Sequence, residues 1–210
     1  MILYLSSQKF GNNYSFLKEW ISKNSNKILL IANALDYKDK SIVSSIVEED
    51  KQILSHIGFD VTIVDLKDYF EKHEELKKIC RKFNNICVIG GNVFILREAM
   101  KYSGFDKYLK EISKKDNYLY IGYSAGGCVL SQNLDIYKKV DEPVDFYNKG
   151  KIIYDGIELI DYQFIPHYKS NYYKAYLIDE IVDTCKKENI KYKALKDGEF
   201  VIEKIGVNIW

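Results

Sequence analysis

The sequence predicts an α/β domain built on a mainly parallel sheet. Three observations carry that reading. Short apolar runs alternate along the chain with segments of helical periodicity. Some of those runs, such as 27–32 (Lys-Ile-Leu-Leu-Ile-Ala), are apolar almost throughout, as in strands covered on both faces. Only two prolines occur, Pro143 and Pro166, so no Pro-rich linker splits the 210 residues, which suit one domain with a sizeable core.

The elements follow in order. Ile2–Leu5 reads as a strand and Tyr14–Ile21 has helical spacing. After the 27–32 strand, Ile42, Val43, Ile46, Val47, Ile53, Leu54 and Ile57 fall near a helical period that Gly58 ends. Residues 60–66 read as a strand, 69–83 as a charged amphipathic helix and 85–90 as a buried strand. Val93–Tyr102 and Phe105–Ser113 read as helices, and Tyr118–Gly122 as a strand followed by a short helix from Ala125. The pattern weakens over 133–160, which reads as a long loop with short extended pieces. A last amphipathic helix is expected over 171–187, and antiparallel strands over 199–209.

Composition removes several classes of function. Lys and Arg number 31 against 30 Asp and Glu, and the net charge of +1 gives no general attraction to nucleic acid or to an anionic membrane. The longest apolar stretch, near 28–32, is far too short to span a bilayer, and the amino terminus reads as a strand rather than a leader, so a cytoplasmic location is expected. The four cysteines lack close C-x-x-C spacing and are expected to be buried thiols. The 18 tyrosines fit a homodimer interface and ordinary core equally well.

Ligands of open α/β sheets bind beyond the carboxyl ends of the strands. Three segments fall there. Gly122-Tyr-Ser-Ala-Gly126 is a G-x-S-x-G turn between a strand and a helix, which exposes Ser124 and places backbone amides beside it. Gly90-Gly91-Asn92 follows the 86–89 run. It reads as a tight turn, or as a place where a glycine amide approaches a substrate carbonyl. His167 closes the run Tyr162-Gln-Phe-Ile-Pro-His and is stiffened by Pro166. Of the other two histidines, His56 lies within a helix and His73 among charges. A serine–histidine pair needs a carboxylate to orient the imidazole. Between Ser124 and His167 the chain offers Asp135, Asp141, Glu142, Asp145, Asp155, Glu158 and Asp161, and spacing does not choose among them.

Together, Gly90-Gly91-Asn92-Val93-Phe94, Gly122-Tyr-Ser-Ala-Gly-Gly127 and Gln163-Phe-Ile-Pro-His-Tyr168 resemble the dipeptidase E / cyanophycinase family of serine peptidases. The resemblance implies a three-layer sandwich related to class I glutamine amidotransferases (flavodoxin-like), with serine replacing their cysteine. It implies Ser124 as nucleophile, His167 as general base and acid, and Gly91 and Ala125 amides as the oxyanion hole. It also implies Asp141 as the third member, from Asp141-Glu142-Pro143-Val144, with Glu142 as its rival. Asp141 lies two positions further from the serine than the family spacing. Aspartyl dipeptidases carry an arginine beyond the histidine, but residues 168–176 contain none, so the resemblance is closer to the uncharacterised bacterial peptidase branch. A small peptide substrate and no metal or organic cofactor are implied. An α/β-hydrolase esterase and a non-catalytic peptide- or metabolite-binding module are the competing readings.

Overall fold

The computed structural model describes residues 1–171 and 174–205. Its elements are β1 (Ile2–Ser6), α1 (Ser15–Lys23), β2 (Lys27–Ile31), α2 (Lys40–Ile57), β3 (Asp60–Ile63), α3 (His73–Cys80), β4 (Asn85–Val88), α4 (Val93–Ser103), α5 (Phe105–Ile112), β5 (Leu119–Tyr123), α6 (Ala125–Cys128), β6 (Gln163–Ile165), α7 (Ala175–Lys187), β7 (Tyr192–Ala194) and β8 (Phe200–Lys204). The main sheet runs β3-β2-β4-β5-β1-β8. Its first five strands are parallel, and β8 closes it antiparallel to β1.

Alternation along the strands divides the core between two faces. Leu29 and Ile31 of β2, Ile86 and Val88 of β4 and Tyr120 of β5 pack with α3, α4 and α5. Ile28, Leu30, Cys87, Leu119 and Ile121 pack with α1 and α2. Helices therefore cover both sides of a mostly parallel sheet, the three-layer α/β arrangement expected. A smaller unit stands beside it: β6 pairs in parallel with β7, and Ile178, Ile181 and Val182 of α7 bury its apolar side.

Several elements depart from the pattern reading. The 60–66 strand stops at Ile63 and the 69–83 helix shrinks to α3. A 3₁₀ turn over Leu66–Tyr69 intervenes, its Leu66 amide donating to Asn33 Oδ1 and its Lys67 amide to the Asp65 side chain. Glu71, at φ 64°, then breaks the chain before α3 begins. The strand β7 was not foreseen: three residues with a central lysine carry too little pattern. Within 133–160 the chain forms a 3₁₀ turn over Asp135–Lys139 and one isolated bridge between Asn133 and Asp155. Of the terminal strands, residues 206–209 lie outside the described residues, as do 172 and 173 of the last helix.

The 141–150 segment is tied to α4 by an unusual group. Glu98 is fully buried, and its Oε2 accepts from Tyr147 N at 3.3 Å. Tyr147 in turn donates its hydroxyl to Asp36. Oε1 of Glu98 has no hydrogen-bond partner among the described residues. Burial pushes the Glu98 carboxyl up to about 7, partly opposed by the Tyr147 amide. The carboxyl therefore binds its proton more tightly in the folded chain than in the unfolded one. Folding keeps its full strength below the unfolded pKa and weakens as pH rises toward and past 7. Glu98→Gln is expected to stabilise the protein at pH 8 by about 1–2 kcal/mol and to give no gain at pH 4. Urea unfolding midpoints at the two pH values check this.

Candidate active site

The site forms where β1, β4 and β5 end. Ser124 follows β5 in a conformation that L-residues seldom adopt, φ 50° and ψ −120°. The sheet and the next turn hold it there. Ser124 N donates to Ser6 O at 3.2 Å, and Ser124 O accepts from Gly127 N and Cys128 N at 2.9 and 3.0 Å. The small residues after it have a packing reason. A Cβ on Gly126 would lie 2.1 Å from Val88 O, so α6 could not sit this close to β4. Tyr123, just before the serine, donates to the fully buried Asp50 of α2 at 2.6 Å, and Lys9 donates to the same carboxylate at 2.8 Å.

His167 lies beyond the end of β6 at φ 62° and is fixed through its own backbone, His167 N donating to Ser7 Oγ at 2.7 Å. Its ring spans two partners. Nε2 is 3.2 Å from Ser124 Oγ, and Nδ1 is 2.7 Å from Asp197 Oδ1. A carboxylate only accepts, so the pairing assigns the proton of the neutral ring to Nδ1 and leaves Nε2 to accept from the serine hydroxyl. Ser7 Oγ also donates to Asp197 Oδ1 at 2.8 Å, and Asp197 N donates to Ser170 Oγ at 2.7 Å. One serine at the end of β1 thus ties the histidine backbone to the carboxylate that meets its ring.

The acidic member differs from the expectation. Asp141 does not meet His167 Nδ1. The chain turns at 135–140, with Asp141 N donating to Tyr137 O, and this directs Asp141 Oδ2 to accept from Val93 N at 2.9 Å, at the start of α4. Glu142 is exposed, and it is its backbone carbonyl that Asn92 reaches. Asp197 went unseen because every carboxylate weighed lay before the histidine. A signal was present. Lys196-Asp197-Gly198 is a turn leading into β8, and β8 pairs antiparallel with β1 so that Phe200 faces Ser6. The residues preceding β8 must therefore lie at the same sheet edge as Ser124. The order serine, histidine, aspartate also departs from the serine, acid, histidine order of α/β-hydrolases.

Gly91 sits at φ 149°, and a Cβ on it would lie 2.2 Å from Ala34 O. Any other residue would push this turn away from the serine. The Gly91 and Ala125 amides make no hydrogen bond among the described residues, and both residues line one cavity with Ser124 and His167. It measures about 40 Å³. Its remaining walls are Cys128, Tyr137, Val140, Asp141, Ile165, Pro166, Ile178 and Ile181. Burial pushes the Asp141 carboxyl up to about 6, opposed by the Val93 amide and by Lys174. The Cys128 thiol is held far above its ordinary range by burial and is no rival nucleophile. The arrangement offers a hydroxyl, a base with its orienting carboxylate, and two amides free to hold developing negative charge.

A model of peptidase family S51 matches residues 2–204. Among curated proteins, the chain is 30% identical over 159 residues to "Uncharacterized peptidase Lin0382" of Listeria innocua, covering 74% of this chain and 71% of that one. It is 34% identical over 133 residues to "Uncharacterized peptidase Lmo0363" of Listeria monocytogenes, covering 63% and 62%. Among solved structures, a "Putative Peptidase E Protein" from Listeria monocytogenes EGD-e superposes with a TM-score of 0.74 at 25% identity, over 98% of each chain. A peptidase from an acI-B1 Actinobacterium shares the fold with a TM-score of 0.68 at 15% identity, over 99% of this chain and 84% of that one.

Proposed function

Because the chain belongs to peptidase family S51, we propose that it is a serine peptidase that hydrolyses short peptides through Ser124, His167 and Asp197. The observation that carries this is the His167 ring, 3.2 Å from Ser124 Oγ on one side and 2.7 Å from Asp197 Oδ1 on the other.

His167 Nε2 takes the hydroxyl proton as Ser124 Oγ attacks the peptide carbonyl, and Asp197 stabilises the imidazolium that forms. The Gly91 and Ala125 amides hold the tetrahedral oxyanion. His167 then gives the proton to the departing amine, and an acyl-serine remains. Water, deprotonated by the same nitrogen, releases the acid and restores the hydroxyl. The charge that develops at each step meets a group already in place.

Hydrolysis of an unblocked dipeptide and tripeptide library tests the reading. Rapid-quench kinetics on the best substrate are expected to show a burst of amine product stoichiometric with enzyme wherever deacylation is the slow step. Hydrolysis of acyl esters with no cleavage of any peptide would favour an esterase instead.

A further inference from the structure

A buried ion cluster stands directly behind the nucleophile and takes no part in the proton transfers. Asp50 of α2 is fully buried, and its two oxygens are divided between partners from different elements. Oδ2 accepts from the Tyr123 hydroxyl at 2.6 Å, and Oδ1 accepts from the Lys9 ammonium at 2.8 Å. Lys9 follows β1, where its carbonyl accepts from Ser6 Oγ, and Ser6 O in turn holds the Ser124 amide. Tyr123 is the last residue of β5 and the neighbour of Ser124. Its ring lies against the turn after β4: a Cβ on Gly90 would stand 2.9 Å from Tyr123 Cε2 and 2.9 Å from Ser124 Cβ. The Gly90 amide also favours negative charge on the Tyr123 oxygen. One carboxylate thus reaches the ends of β1, β4 and β5, the three strand ends that carry the site.

Stability alone does not account for this cluster. Taking a carboxylate fully out of water costs free energy that pairing with a part-exposed lysine barely returns, and apolar packing in its place is often as stable. Burial accordingly raises the Asp50 carboxyl, against the pull of Lys9 and Tyr123. A directional bond supplies what apolar contact does not, a fixed depth for the Tyr123 ring. That ring bears on Gly90, and Gly91 follows with the amide assigned to the oxyanion. Misplacing such a group by about 1 Å costs about 100-fold in rate.

We propose that Asp50 is a positioning residue for catalysis: through the Tyr123 hydroxyl it sets the height of the Gly90-Gly91 turn against Ser124, and so the fit of the oxyanion hole to the transition state. The proposal rests on the serine peptidase reading and adds to it a residue that touches neither substrate nor reacting atoms.

The test measures kcat and KM for the best dipeptide of the library in Asp50→Asn, Tyr123→Phe and the double variant. Each single change is expected to lower kcat by about 30-fold and to leave KM within about threefold, since the donor is displaced rather than removed. The double variant is expected to lose no more than either single one, because both act through the same hydroxyl. Inactivation by a fluorophosphonate, whose phosphonyl oxygen occupies the oxyanion site, gives the same split: the limiting rate falls about 30-fold and the half-saturating concentration stays. Leu54→Ala, one turn further along α2, is the control. It is expected to lower the melting temperature and to leave kcat within about twofold. Where Asp50→Asn does not fold, Tyr123→Phe decides, since it removes one oxygen and leaves Asp50 paired with Lys9. Variants that are less stable but keep kcat within threefold overturn the proposal, as do losses that multiply in the double variant or appear in KM instead. Such results in a wild type that cleaves peptides and is labelled at Ser124 leave the peptidase reading standing. A wild type that neither cleaves an unblocked peptide nor is labelled at Ser124 overturns both.

Discussion

Asp197→Asn is expected to lower kcat by about ten thousand-fold while the fold survives. The carboxylate accepts from His167 Nδ1 at 2.7 Å and from Ser7 Oγ at 2.8 Å, so it fixes both the ring and its tautomer. An asparagine of the same shape can present its NH₂ group to Nδ1. The ring proton then moves to Nε2, which can no longer accept from Ser124. No negative charge remains to stabilise the imidazolium. Steady-state hydrolysis of the best peptide reads the effect, with thermal unfolding as the control for folding. A loss under about tenfold would remove Asp197 from the mechanism.

Ser124→Ala is expected to cost still more, about a million-fold in kcat, leaving only what the oxyanion amides and binding supply. The hydroxyl has one side-chain partner among the described residues, His167 Nε2 at 3.2 Å. The backbone contacts that hold the turn, from Ser124 N to Ser6 O and from Gly127 N and Cys128 N to Ser124 O, do not involve Oγ. The strained φ of 50° is present with either side chain. The variant should therefore fold as the wild type does and melt within a few degrees of it, since the one partner left behind, His167, lines the cavity rather than the packed core. Retained hydrolysis would assign the nucleophile elsewhere.

The layered sheet was legible in the sequence because buried parallel strands write themselves as apolar runs, as 27–32 and 85–89 do. Ser124 and Gly91 were legible for a related reason: each ends such a run, and strand ends of one parallel sheet converge on one edge, whereas the run before His167 is β6 of the smaller unit, which packs beside that edge. Asp197 was not, because its place follows from an antiparallel pairing across the whole chain, β8 on β1, which no local pattern states. Asp141 was expected to meet His167, but its carboxylate accepts from Val93 N instead. The family resemblance of Asp141-Glu142-Pro143-Val144 pointed to it, while spacing left seven carboxylates open. The turn at 135–140 and the start of α4 decide which atom it meets. The Asp50–Tyr123–Lys9 cluster that anchors the strand before the serine was equally hidden, since Asp50 looks like one more polar position on α2 until burial is known.

The central claim is that Ser124 is the activated nucleophile. The most direct test treats the folded protein with a fluorophosphonate and locates the adduct by peptide mass spectrometry, in the wild type and in Ser124→Ala. A single adduct on Ser124, absent from the alanine variant and slowed in Asp197→Asn, is the expected result. An adduct on any other residue, or labelling undiminished in Ser124→Ala, would contradict the account.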